Sequence, residues 1–162
     1  MMKKCLLLLL FIALSAGSAL AASLGDLMPE RVGDMHRIQL VTGDAAQEEV
    51  DKLHGKSLPA EESVVARYAV PGEKIRPAEV WVSRVSSEKE ARRQTGQMVH
   101  MMYENPRSPF KNPSRMDHGT TAVYRFEGMG QGHLIWFSGD LVYWISVAPE
   151  GEQLMLDMFC KK

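Results

Sequence analysis

Cysteine is nearly absent from this chain, with only Cys5 and Cys160 among 162 residues. Long apolar runs are as scarce. The one unbroken run, Leu6 to Leu14, follows Lys3 and Lys4 and precedes Gly17 and Ala19-Leu20-Ala21. It falls well short of the roughly 20 apolar residues that a membrane-spanning helix needs. A basic start, a short apolar stretch and small residues before a cut describe a secretory signal peptide, residues 1–21, removed ahead of Ala22. Cys5 precedes the apolar run, where a lipid-bearing cysteine would follow it, so it leaves with the signal. Cys160 then stands alone, which excludes an intramolecular disulfide framework in an oxidising compartment and leaves stability to a packed core. The expected location is periplasmic or secreted, with no membrane attachment after cleavage.

Excess charge is lacking too. Losing Lys3 and Lys4 takes 19 basic residues to 17 against 20 acidic ones, a formal net charge near −3. A polyanion would find nothing to hold it, so nucleic acid is not an expected partner. No Gly-x-Ser-x-Gly elbow occurs, and Cys160 has no histidine beside it. His36, His54, His118 and His133 fall at none of the zinc-binding spacings. Gly128-x-Gly130-x-Gly132 lies between two strand-like segments, whereas a phosphate loop runs from a strand into a helix, so a flexible hairpin loop is expected there. Met98-Val99-His100-Met101-Met102 carries soft copper ligands. At 100° per residue, however, His100 points away from Met98 and Met102, and core methionines are expected. No catalytic residue, metal ligand or cofactor is therefore assigned.

What remains is a regular alternation of elements. Taking 21 residues from 162 leaves 141, the size of one domain. Residues 22–34 read as an irregular lead-in and 35–162 as a single domain. His36 to Thr42 alternates as a strand in which Ile38, Leu40 and Thr42 share a face, and Asp44 is placed to cap a helix that Gly55 closes. Val64 to Val70 and Glu79 to Val85 read as a hairpin. Ser87 and Glu90 form a capping box for a helix reaching about Tyr103, with Ala91, Thr95, Met98 and Met102 inward. The stretch from Asn105 to Gly119, with three prolines, reads as a basic irregular loop. Strands at Thr121 to Glu127, His133 to Ser138 and Leu141 to Ala148 make a meander, and a short helix passes through Leu154, Met155 and Met158. The expected class is α+β: a ferredoxin-like split β-α-β sandwich extended by a C-terminal three-strand meander and a short helix.

The last hairpin is the strongest functional signal. With Gly139-Asp140 as its turn, Trp136 faces Tyr143 and Leu134 faces Ile145 on one side, while Ile135 faces Trp144 and Phe137 faces Val142 on the other. Both faces are apolar, so the second must be covered by a helix of the chain, a subunit or an apolar ligand. The candidate ligand or partner surface is Ile135, Trp136, Tyr143 and Trp144, with Phe110, Arg107, Lys111 and Arg115 of the proline-rich loop. Within that loop Asp117-His118 is the one acid-base pair to watch.

Gly43-Asp44-Ala45-Ala46, His54-Gly55, Tyr68 and the passage from Val80 to Ala91 resemble small exported bacterial α+β domains of unknown function, over about half of the mature chain. That resemblance implies an exported α+β domain and carries over no catalytic residue. The expected function is a non-catalytic binding or accessory domain acting through the aromatic sheet face and the basic loop, with a protein, a small apolar ligand or a second copy as partner. A small hydrolase or transferase using Asp117 and His118 is the alternative, and a metal-handling protein the third.

Overall fold

The computed structural model describes residues 22–161, so the expected signal peptide lies outside the described residues. In chain order the elements are β1 (Arg31–Val32), β2 (Met35–Thr42), α1 (Gly43–His54), β3 (Glu62–Ala69), β4 (Ala78–Arg84), α2 (Glu88–Glu104), β5 (Lys111–His118), β6 (Thr121–Gly128), β7 (Gln131–Ser138), β8 (Leu141–Val147) and α3 (Glu152–Phe159). The class is α+β. The strands form one eight-stranded sheet in the order β1-β2-β3-β4-β8-β7-β6-β5, with every neighbouring pair antiparallel.

That order departs from a split β-α-β sandwich, in which the two strands joined by a crossover helix run parallel with a single strand inserted between them. Here β2 pairs with β3 directly, antiparallel, across the α1 connection. Helix α2 carries the chain from the central β4 to the far edge, and the β5-β6-β7-β8 meander walks back until β8 closes on β4.

Local chemistry explains most elements. Ser87 Oγ accepts from the Glu90 amide at 3.2 Å and starts α2, and Gly55, at φ 65°, ends α1 in the left-handed conformation that glycine tolerates best. Asp44 does not cap α1: the cap position is Thr42, with no side-chain bond, and Asp44 lies in the first turn. Residues 22–34 are more ordered than their composition suggests. A 3₁₀ turn over Leu24–Leu27 buries Leu24 completely, and Val32 of β1 is also fully buried. A bulge between Arg37 and Gln39 breaks the expected strand period in β2, and Ile38 and Leu40 are 59% and 39% exposed.

The proline-rich stretch is the clearest correction. Lys111 to His118 forms edge strand β5, with Asn112 at φ 51° and a register shift between Lys111 and Ser114. Pro113, the bulge and the flanking cations are features that keep such an edge from recruiting a further strand. Nor is Gly128 to Gly132 a flexible loop. Gly128 pairs with Gln131, so Met129 (φ 54°) and Gly130 (φ 77°) make a two-residue turn, and Gly132 lies within β7.

Both sheet faces are packed. On one, Val64, Tyr68, Val80, Leu134, Trp136 and Ile145 meet Leu24 and Met28 of the lead-in and Met155, Leu156 and Phe159 of α3. On the other, Ile135, Phe126 and Trp144 meet Met98 and Met102 of α2, while α1 lies over β2 and β3. A charged clamp fixes α3: Arg125 on β6 gives Glu152 two bonds of 2.7 and 2.8 Å and Glu127 a third of 2.7 Å. These two carboxylates, Glu152 first, push the Arg125 guanidinium pKa further up.

Candidate functional site

The final hairpin adopts the register its turn dictates, with Trp136 opposite Tyr143, Leu134 opposite Ile145, Ile135 opposite Trp144 and Phe137 opposite Val142. The chain's own elements cover both faces. Trp136 and Ile135 are wholly buried and Tyr143 is 8% exposed. Trp136 stacks on Tyr143 at 4.7 Å with the planes 4° apart. Burial raises the Tyr143 phenol above its ordinary range. These three residues pack in the core, Tyr143 also bordering a second, more polar cleft beside Asp26, Ser138 and Phe159, and Trp144 borders the space between the two helices.

That space arises from the spacing of two helices. Helix α1 sits over β2 and β3, and α2 over β7 and β8, leaving a gap above the β4–β8 seam. Trp81 and Trp144 are register partners across this seam, and their indoles floor a shallow cleft with room for about 70 Å³. Val50, Leu53 and His54 of α1 form one wall, and Gln94, Met98 and Met101 of α2 the other. Leu53 and Met101 are 46% and 57% exposed, so the rim is apolar as well. Trp81 is held by neighbours on its own face of the sheet: its Nε1 donates to Glu79 at 3.1 Å, and the Arg67 guanidinium lies 5.8 Å over its ring. Arg67 is itself neutralised by Glu49 at 2.7 Å.

Trp144 is backed by a second aromatic layer. Phe110 meets it edge-on at 5.5 Å, and His133 at 4.7 Å. His133 Nε2 donates to the Gly128 carbonyl at 3.0 Å, so its Nδ1 is the acceptor for Ser146 Oγ at 2.8 Å and for Trp144 Nε1 at 3.4 Å. Burial holds the His133 imidazole pKa below its ordinary value. A group with a depressed histidine pKa stabilises the fold fully above its unfolded value, near 6.5, and the stabilisation drains away as pH falls from there toward the folded value. Urea titrations at pH 7.5 and 5.5 should show a stability loss of at most about 1.4 kcal/mol per pH unit. This loss should be missing in His133→Gln, and equal losses in both proteins would refute the assignment.

The cationic loop residues are not gathered at the cleft. Arg107 and Lys111 are exposed, with Lys111 Nζ donating to the Pro106 carbonyl at 3.3 Å, and Arg115 pairs with Asp117 at 3.0 Å. Phe110 is the loop residue that turns inward. Asp117 and His118, as strand neighbours, point to opposite faces: while Asp117 meets Arg115, His118 reaches Asp157 at 3.5 Å. Cys160 is buried, which pushes its thiol pKa up and away from nucleophilic character. His100 faces outward against Glu104 at 3.1 Å while Met98 and Met102 pack inward, the divergence that helical spacing requires. Among the described residues no cluster of three or more histidine, cysteine or acidic side chains could hold a metal, and no helix is long and apolar enough to cross a membrane.

Sequence reasoning missed Trp81, Leu53, His54 and Met101 as a group. Trp81 was visible as a strand residue, but its partner strand follows from the sheet order, which no short-range pattern encodes. Comparison with protein-family models, with curated proteins and with solved structures finds no match to this chain.

Proposed function

We propose that this chain is an exported, non-catalytic binding domain, periplasmic or secreted, that takes a small apolar ligand in the cleft between α1 and α2. The observation that carries this reading is the Trp81–Trp144 pair, two cross-strand indoles at the sheet centre that form a cleft floor between the helices. The cleft has the mostly apolar lining with a few polar groups that is common to small-molecule sites. The aromatic face is thus narrowed to Trp144 and Trp81, backed by Phe110. The basic edge with Arg107, Lys111 and Arg115 is proposed as an accessory surface for an acidic partner.

Titration with the neutral apolar fluorophore N-phenyl-1-naphthylamine tests the cleft. Saturable binding to one site per chain is expected, weakened at least about tenfold by Leu53→Lys or Met101→Lys. Both positions are half exposed, so each variant should keep its stability within about 0.5 kcal/mol. Non-saturable uptake, or binding indifferent to both changes, would overturn the reading. A concentration-dependent dimer that excludes the fluorophore would replace the small ligand with a second copy.

A further inference from the structure

The polar groups around the cleft are unequal in what they leave free. Ser63 Oγ lies 2.7 Å from Gln47 Oε1 and donates to it, so Ser83 Oγ spends its own proton on Ser63 at 2.9 Å. Gln94 Nε2 is committed to the Pro59 carbonyl and to Glu90, each at 2.9 Å. His54 Nδ1 donates to the Val50 carbonyl at 2.8 Å. Gln97 accepts from Arg93 at 3.0 Å through Oε1, so its Nε2 hydrogens stay uncommitted. Lys56, just past the end of α1, lines the cleft and takes part in none of the ion pairs among the described residues. No aspartate or glutamate lines the space. The nearby Asp51 is occupied by the Leu58 amide at 2.9 Å and by Gln47 at 2.8 Å. An apolar trough therefore carries a full positive charge and an amide donor on its lining, and the one carboxylate against its floor, Glu79, is engaged by the Trp81 Nε1 hydrogen.

We propose that the ligand is an anionic amphiphile: an unbranched acyl chain laid over Trp81 and Trp144, with one carboxylate held by Lys56 and Gln97. This rests on the reading of the cleft as a binding site and adds the charge of its occupant. Three probes of equal chain length separate the two claims: octanoate, octan-1-ol and octyltrimethylammonium. Binding is read from the indole N–H resonances of isotope-labelled tryptophan, with Trp136, on the opposite face, as the internal control that should not move.

Octanoate is expected to bind about two- to fivefold more tightly than octan-1-ol, the range of a partly exposed charge contact, and octyltrimethylammonium more weakly than either. In Lys56→Gln, octanoate should fall to the level of octan-1-ol while octan-1-ol is unchanged; Lys56 is exposed, so the variant keeps the fold. Octan-1-ol binding as tightly as octanoate, or a preference for octanoate that survives Lys56→Gln, would overturn the anionic assignment and leave the apolar cleft standing. Failure of all three probes to shift Trp81 and Trp144 would sink both claims.

Discussion

Trp136→Ala is expected to lower the unfolding free energy by about 3–5 kcal/mol, the loss typical of deleting a large, fully buried aromatic side chain. Trp136 has no exposed surface, stacks face to face on Tyr143 and shares its cluster with Leu134, Ile145 and α3. Trp144→Ala should cost less, because that indole already borders open space, and it should also change probe binding in the cleft. Urea denaturation followed by far-ultraviolet circular dichroism measures both. A Trp136→Ala protein within about 1 kcal/mol of the parent would mean that this face of the hairpin is not packed core.

Gly132→Ala should destabilise the protein by about 2–3 kcal/mol, although it adds a single methyl group. A Cβ at this position would overlap Glu152 Oε1 and lie 2.6 Å from its Cδ, in the space the carboxylate occupies while it grips Arg125. The side chains of Arg125 and Glu152 are only 18% and 13% exposed, so expelling the carboxylate leaves a poorly hydrated guanidinium with Glu127 as its remaining acid. The cause is separable by a double-mutant cycle. In a Glu152→Ala background the same methyl group should cost under about 0.5 kcal/mol, since nothing then competes for its place. Equal losses in the two backgrounds would move the effect from the charged clamp to the β7 backbone.

The difference between what these two sites reveal in sequence is instructive. The Trp136–Tyr143 pairing follows from a two-residue turn and a period of two, both local, and so the full register of β7 and β8 was legible. Helix α2, with its Ser87–Glu90 cap and inward methionines, was legible for the same reason. The Gly132–Glu152 approach joins a strand to a helix through tertiary packing and leaves no local trace beyond an unexplained glycine. Strand β5 escaped notice because its prolines, its bulge and its exposed charges remove the alternation by which a strand is recognised. The strand order was hidden by α2, which passes over the sheet and gives no sign of where the chain re-enters it. The cleft inherits that invisibility, since its floor joins β4 to β8 and its walls are α1 and the crossing helix α2 itself.

The β4–β8 seam also has a kinetic meaning. Every other pairing in the sheet joins strands consecutive in the chain, so strands β5 to β8 can zip from local turns, and strands β1 to β4 need only the α1 connection between β2 and β3 as a longer closure. Within the sheet, only the β4–β8 seam joins strands separated by α2 and the whole meander. It is the longest loop closure of the sheet, and the rate of reaching the native state should be governed by the collision of two partly formed half-sheets. Trp81 and Trp144, one from each half, meet only at that moment, so the same indoles that floor the cleft would report the rate-limiting encounter as the chain folds.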